Sequence, residues 1–323
     1  PSMVSGQARP GEPTAPAGPS QVASEAAESG GPSNQAPFPP LTPQEEQRLH
    51  QLLDFWQKRS GEVRTYSCSF VRWEYDMIFG PRDPRVAKTQ AEGSIRYSSP
   101  DKGEFSVLRL GTYQAAKESG EAPTYDMRDV KHEEHWICDG NSVFELNPQK
   151  KQLIERKLPS EMKGNQIADG PLPFMFGATK EKLLARYWMR ELKPPQNRPG
   201  EYWIEAYPRT RADAADFQKV RVILDHRTFL PKALEVFPPN YDPKQNPSRT
   251  AYLFTDRKIN DPLHRTQAFL GGFISPKPPL GWKTVVEDYT PRGPEPVSTQ
   301  PQMAQRKSQE AASRQPPART PAG

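Results

Sequence analysis

The stretch from Trp136 to Ile154 constrains the fold of this chain more than any other segment. It contains two reversal signals, Asp139-Gly140, which tolerates positive φ, and Asn147-Pro148, which presets a second turn. The segments around these turns, residues 135–139, 142–146 and 152–157, are short enough to be strands. The sequence therefore predicts an antiparallel meander of three strands here.

Proline content and hydropathy limit how much of the chain can be packed. The 323 residues include 38 prolines, and the mean hydropathy is −0.85. Residues 1–40 are mostly Pro, Ala, Gly, Ser and Glu, and residues 290–323 are similar with more Gln and Arg. Such segments bury too little apolar surface to offset their chain entropy. We expect disordered tails at 1–40 and 290–323 around a single domain at 41–289.

An amphipathic helix is predicted at the start of this domain. Thr42 and Glu45 form a capping box with Pro43 in the first turn, and Gly61 ends the pattern. The apolar side chains recur at helical spacing, at Leu49, Leu52, Leu53 and Trp56. The stripe must pack on another element.

Most of the domain after this helix is predicted to form strands. A hairpin turns at Ser99–Gly103, residues 111–131 look charged and irregular, and Thr179 caps a short helix, with 213–217 as an insertion. Besides the meander, strands are predicted at 66–75, 91–97, 104–110, 202–207, 219–225, 232–237, 249–256, 269–274 and 282–287. Strands in series without helical crossovers favour a strongly curved antiparallel sheet with helices on one face.

The distribution of charge argues against nucleic acid as a partner. The net charge of +5 and the pI near 9.1 would suit an anionic partner, but cations and carboxylates are interleaved along the domain. The densest cluster, Lys150, Lys151, Arg156 and Lys157, is interpreted as a solvated face in preference to a contact with acidic headgroups or a protein. No run has transmembrane length. We expect an exported protein whose signal peptide has been removed, with Met3 as the alternative start.

Catalytic and metal chemistry find little support. His132 and His135 have the wrong spacing for a zinc-binding helix and would face opposite sides of a strand. Asp213 and Asp216 lack a neighbouring nucleophile. Cys68 and Cys138 are either two buried thiols, the favoured interpretation, or a disulfide. We predict neither a metal nor another cofactor, and no enzymatic activity.

One apolar loop stands apart from the periodic elements. Leu172, Phe174, Met175 and Phe176 lie between glycines and prolines, so they must be buried by docking on another surface. Two alternatives remain, a lid over an apolar cavity and a permanent core plug. The cavity is predicted to be lined by aromatic residues, namely Tyr66, Phe70, Trp136 and Phe144.

The order of these parts resembles the LolA/LolB lipoprotein carrier superfamily. Three stretches carry the resemblance: Asp139 to Gln152; Gly93 to Pro100 followed by Phe105; and a C-terminal pattern of Phe254, Asn260, Phe269, Phe273, Pro276, Pro278, Pro279 and Gly281. The segment from Gly170 to Gly177 is most similar to an uncharacterised, secreted LolA-like family of planctomycetes. In the family, an Arg immediately before the hairpin proline holds a lid in place. This position is Ser99 here.

The resemblance implies an α+β fold, mainly β. In this fold an incomplete antiparallel barrel, or half-barrel, carries an N-terminal helix, with short helices and loops over its concave face. It also implies a periplasmic, monomeric carrier of a lipid or acylated protein, with peripheral membrane contact. The alternative is an envelope module with a self-filled core that binds a protein or polysaccharide.

Overall fold

The computed structural model describes residues 35–115, 123–158, 174–175, 179–262, 273 and 275–288. The helices in these ranges are α1 Pro43–Gly61, α2 Lys180–Arg186 and α3 Arg211–Asp216. The strands are β1 Thr65–Tyr75, β2 Thr89–Ser98, β3 Lys102–Gln114, β4 Thr124–Asp129, β5 His135–Asp139, β6 Ser142–Asn147, β7 Gln152–Lys157, β8 Tyr187–Leu192, β9 Glu201–Pro208, β10 Lys219–Asp225, β11 Pro231–Phe237, β12 Arg249–Ile259 and β13 Lys283–Asp288.

Within the described residues, the strands form one open sheet. Its order is β13-β7-β6-β5-β3-β2-β1-β12-β11-β10-β9-β8, and β4 pairs with the far part of β3. Neighbours are antiparallel, except that β13 runs parallel to β7. Among these described strands, the two ends of the order do not pair with each other, so the barrel is incomplete. The predicted fold class is confirmed, with one parallel pair at an edge as the difference.

Helix α1 forms as its sequence predicts. The Glu45 carboxylate accepts a hydrogen bond from the Thr42 backbone N–H at 2.8 Å, and Thr42 Oγ1 accepts one from the Glu45 N–H at 3.3 Å. The buried stripe, Leu49, Leu52, Leu53 and Trp56, belongs to the same apolar cluster as side chains of β1, β2 and β8–β11. We call the sheet face under α1 the concave face and the opposite one the outer face.

Strand β1 joins the two halves of the sheet. Phe70 pairs with Gly93 of β2 on one side and with Phe254 of β12 on the other. Tyr66, Cys68 and Phe70 face the concave cluster. Trp73 and Tyr75 pack in a separate cluster on the outer face. Because β1 is buried on both faces, it is central to the fold.

The structure corrects two predictions and refines a third. Residues 111–114 and 124–129 are not irregular, since β3 continues to Gln114 and β4 pairs with it. In β4 only Tyr125 and Met127 are half-buried, which is too short an alternation among exposed residues to indicate a strand. Strand β8, which the sequence did not predict, follows α2 directly. The insertion at 213–217 is largely helical, as α3.

The prediction for the cysteines can be compared with the structure, whereas several other predictions fall on residues that it does not describe. Both cysteines are buried free thiols, the favoured alternative, and burial raises the pKa of each to about 11. Residues 1–34 of the predicted tail 1–40, the whole predicted tail 290–323, most of the predicted strand at 269–274, Leu172 and Phe176 lie outside the described residues. Of the helices that the structure describes, none combines the length and apolar character needed to cross a membrane.

Candidate functional site: an aromatic row on the concave face

Three of the predicted cavity residues share the concave face. Tyr66 and Phe70 are 2% and 1% exposed on β1, and half-buried Trp136 lies on β5 against the same cluster. Phe144 does not join them. It pairs with Ile137, whereas Trp136 pairs with Glu145, so Phe144 faces the outer side. There it packs in its own cluster with Leu146 and Leu153.

A row of four aromatic rings in contact crosses the concave face over five strands. The ring centroids of Trp136 and Phe105 are 5.8 Å apart and the planes differ by 4°. Phe105 lies 4.8 Å from Phe70, at 15°, and Phe70 lies 5.9 Å from Tyr252, at 58°. We call Trp136, Phe105, Phe70 and Tyr252 the aromatic row. Its rings are offset or tilted, geometries that aromatic pairs favour.

The row is continuous because Gly93 has no side chain. Phe70 on β1 and Phe105 on β3 are separated by β2, and Gly93 is the β2 residue in register with Phe70. A Cβ on Gly93 would lie 2.3 Å from Phe70 Cζ and 2.3 Å from the Ser106 carbonyl oxygen. The Phe70 ring therefore occupies the space that a side chain would fill. Gly93 stood in the sequence motif, but its role depends on a register that only the structure gives.

The Trp136 end of the row meets charged side chains. Glu145, the cross-strand partner of Trp136, accepts a hydrogen bond from Arg156 at 2.7 Å. Arg156 also donates a hydrogen bond to Glu287 of β13 at 3.0 Å. These groups are partly exposed. The aromatic row thus changes from buried rings at Phe70 and Phe105 to a half-buried indole beside a polar edge.

A buried arginine lies beside the row. The side chain of Arg72 is 6% exposed and forms a bidentate pair with Glu134, one bond of which is 2.7 Å, and lies 3.0 Å from Glu74. Burial alone would lower the pKa of Arg72, but these carboxylates raise it. Glu134 adopts φ 43°, in the left-handed region. Sequence reasoning missed this pair, because the pairing of a strand residue with a residue 62 positions later depends on the fold.

Helix α1 and two residues of the predicted lid segment, Phe174 and Met175, pack on the other part of the concave face. Phe174 and Met175 are 2% and 0% exposed, and the Phe174 ring lies 4.9 Å from that of Tyr187 on β8. Both side chains belong to the cluster that contains the α1 stripe. This conformation agrees with both a closed lid and a plug.

The remaining titratable candidates have structural partners. His135 Nε2 lies 2.9 Å from the Glu104 carboxylate, and Arg186 donates to Asp213 at 2.8 Å at the start of α3. Within the described ranges, no group of three or more His, Cys, Asp and Glu side chains could hold a metal.

An ion network lies on the outer face. Glu205, with a side chain 2% exposed, is 2.9 Å from Arg190, 2.8 Å from Lys219 and 3.0 Å from Arg221. Burial would raise the pKa of Glu205, but these cations lower it to about 2. A polar cleft of about 510 Å³ between residues 197–201 and 225–232 lies on the same side, where Lys232 pairs with Glu201 at 2.9 Å. Neither feature reaches the aromatic row.

No protein-family model and no curated protein matches the sequence. Solved structures do match. An uncharacterised conserved protein from Thermus thermophilus has a TM-score of 0.39 at 7% identity over 74% of this chain and 99% of that one. A LolA superfamily protein from Nitrosomonas europaea has a TM-score of 0.29 at 11% identity over 65% and 94%. The Pseudomonas aeruginosa MucA/MucB complex has 0.32 at 13% over 65% and 58%. One of these proteins belongs to the superfamily that the sequence resembles, but with every TM-score below 0.5 nothing about this chain is concluded from the similarity.

Proposed function

We propose that this chain binds the acyl chain of a lipid or lipoprotein along the aromatic row, without covalent chemistry. The observation that carries the proposal is the continuous row of ring contacts from Tyr252 to half-buried Trp136, which ends beside the paired charges of Glu145 and Arg156. Burying about ten methylenes would contribute about 8 kcal/mol before the costs of association. Binding of this kind needs no catalytic group.

The predicted site residues take different parts in this proposal. Phe70 and Trp136 would contact the ligand, and Tyr66 would close the floor beside them. Phe174 and Met175, together with Leu172 and Phe176, would cover it as a lid or fill it as a plug. Phe144, on the outer face, would only support β6.

A second candidate function is an envelope module that binds a protein or polysaccharide and whose core is filled by its own side chains. The observation that favours it is the burial of Met175, 0% exposed, among the α1 side chains. Both candidate functions suppose that the protein is exported and monomeric. Fractionation of the source cells would test the location, and light scattering would test the oligomeric state.

The deciding experiment is native mass spectrometry with organic extraction, on protein purified from its own envelope fraction. We expect a discrete added mass that extracts as lipid, and displacement of a fluorescent fatty acid from the purified protein. Trp136→Ala should weaken probe binding by about tenfold or more. The matched control is Trp282→Ala, since Trp282 packs on the outer-face cluster of Phe144.

Protein that carries no added mass and ignores the probe would reject acyl binding and favour the interaction module. Equal loss of probe binding in both tryptophan variants would also count against the aromatic row. Phe174→Ser separates lid from plug. A lid variant should lose lipid binding, whereas unchanged binding with a lower free energy of unfolding would identify a plug.

A further inference from the structure

The loop between β1 and β2 carries two large apolar side chains into solvent. Ile78 and Phe79 are 64% and 77% exposed and adjacent in sequence. With Met77 they form what we call the apolar tip. Single exposed apolar residues are ordinary on protein surfaces, but two neighbours on one projecting loop form a patch that a partner can bury.

The apolar tip is held in place by specific hydrogen bonds. The backbone N–H groups of Ile78 and Phe79 both donate to Asp76 Oδ1, each at 2.9 Å. Met77 N–H donates to Ser248 Oγ at 3.1 Å, which ties the tip to the β11–β12 loop. Lys88 Nζ pairs with Asp76 Oδ2 at 2.9 Å. A loop ordered in this way loses little conformational entropy when its exposed side chains are buried.

Cations outnumber carboxylates in the two loops that meet at the apolar tip. Residues 76–88 and 242–249 contain five cations, Arg82, Arg85, Lys88, Lys244 and Arg249, against three carboxylates, Asp76, Asp83 and Asp242. The Arg85 side chain is 83% exposed and pairs with Asp83 at 2.8 Å. Lys88 Nζ, which pairs with Asp76, lies 5.4 Å from the centre of the Phe79 ring. An apolar projection on loops of net positive charge complements a surface that is apolar inside and negative at its headgroups.

We infer that the apolar tip docks this protein on anionic lipid bilayers, with Ile78 and Phe79 inserted at the level of the headgroups and the flanking cations at the lipid phosphates. Basic residues near an anionic membrane each strengthen binding by about fivefold, and insertion of the two apolar side chains adds a contribution that scales with the buried apolar area. The docking surface lies on the β1–β2 loop and does not include the aromatic row, so the inference is independent of acyl binding.

Cosedimentation of the full chain with vesicles tests the inference. We expect binding to vesicles of phosphatidylcholine mixed with phosphatidylglycerol, weakened by salt, and little binding to phosphatidylcholine alone. Ile78→Ser with Phe79→Ser should lower the partition coefficient by about tenfold or more. Arg82→Gln with Arg85→Gln should lower it by about fivefold or more.

The matched control replaces exposed leucines elsewhere, Leu108→Ser with Leu280→Ser, which are 52% and 104% exposed. This variant should bind as the wild type does. Circular dichroism and the midpoint of thermal unfolding check that each variant is folded, and fluorescent fatty acid binding should be unchanged in the tip variant.

Three results would overturn the inference. They are wild-type protein that stays in the supernatant with anionic vesicles, a tip variant that sediments like the wild type, and equal binding to neutral and anionic vesicles. Light scattering could give a fourth such result. An oligomer that the tip substitutions dissociate would assign this surface to a second copy of the chain instead.

Discussion

Replacing Gly93 by Ala tests whether the aromatic row depends on the missing side chain at this position. The new Cβ would lie 2.3 Å from Phe70 Cζ, 2.6 Å from Phe70 Cε1 and 2.3 Å from the Ser106 carbonyl oxygen. The Phe70 ring can move only by leaving its stack on Phe105, and the Ser106 oxygen belongs to the backbone. Both the ring and a strand must therefore shift.

The expected cost follows from these two displacements. Overpacking a core by one methyl group costs about 1–3 kcal/mol, and losing a ring stack costs a further ~0.5–1.5 kcal/mol. Gly93→Ala should therefore lower the free energy of unfolding by about 1.5–4.5 kcal/mol. Gly61→Ala is the matched control. A Cβ there would meet no heavy atom within 4 Å, so the change should be neutral or stabilising by up to about 1 kcal/mol.

Urea unfolding followed by circular dichroism measures both values, and a double-mutant cycle with Phe70→Ala assigns the cause. Without the ring, only the contact with the Ser106 oxygen remains, so Gly93→Ala should cost at least about 1 kcal/mol less in the Phe70→Ala background. A loss below about 0.5 kcal/mol for Gly93→Ala, or additivity within about 0.5 kcal/mol, would refute the role assigned to the glycine.

Three further measurements address other parts of the structure. Glu205 has a pKa lowered from 4.5 to about 2 in the folded state, so its contribution of about 3 kcal/mol should be complete above about pH 4.5 and lost as the pH falls towards 2. Urea unfolding of wild type and Glu205→Gln over this range should show a weaker acid dependence in the variant, and parallel curves would contradict this. Cys68 and Cys138, with pKa values raised to about 11 by burial, should react with a thiol-specific disulfide reagent at about pH 8 only after unfolding; rapid labelling of the native protein would refute it. Glu134→Ala should cost about 1–3 kcal/mol, because it removes a partner of the buried guanidinium on β1, whereas Glu133→Ala, which removes a looser surface pair at 3.6 Å, should cost under about 0.5 kcal/mol in the same assay.

Local chemistry accounts for the parts of the fold that could be predicted from sequence. The Thr42 capping box set the start of α1, and the turns at Asp139-Gly140 and Asn147-Pro148 set the meander. Strand β4 escaped prediction because its hydrophobic period consists of two residues only, Tyr125 and Met127, among exposed neighbours. The parallel pairing of β13 with β7 is non-local, and no turn in the sequence encodes it.

The site was harder to predict because it depends on register. Pairing of Cys138 with Val143 across the Asp139-Gly140 turn places Glu145, not Phe144, beside Trp136. That one-residue offset sends Phe144 to the outer face. Hydrophobic periodicity groups aromatic residues within a strand, but it does not show which strands are adjacent. Whether Tyr66, Phe70 and Trp136 contact a ligand stays a prediction.

The central position of β1 has a consequence for biosynthesis. One neighbour of Phe70 is Phe254, which leaves the ribosome long after β1 does. At about 5–20 residues per second, β1 would wait on the order of 10–40 s for β12. Throughout that time an aromatic strand destined for burial on both faces has an unpaired edge, which is a template for association with other chains. The nascent protein is therefore most exposed to aggregation just before β12 closes the centre of the sheet.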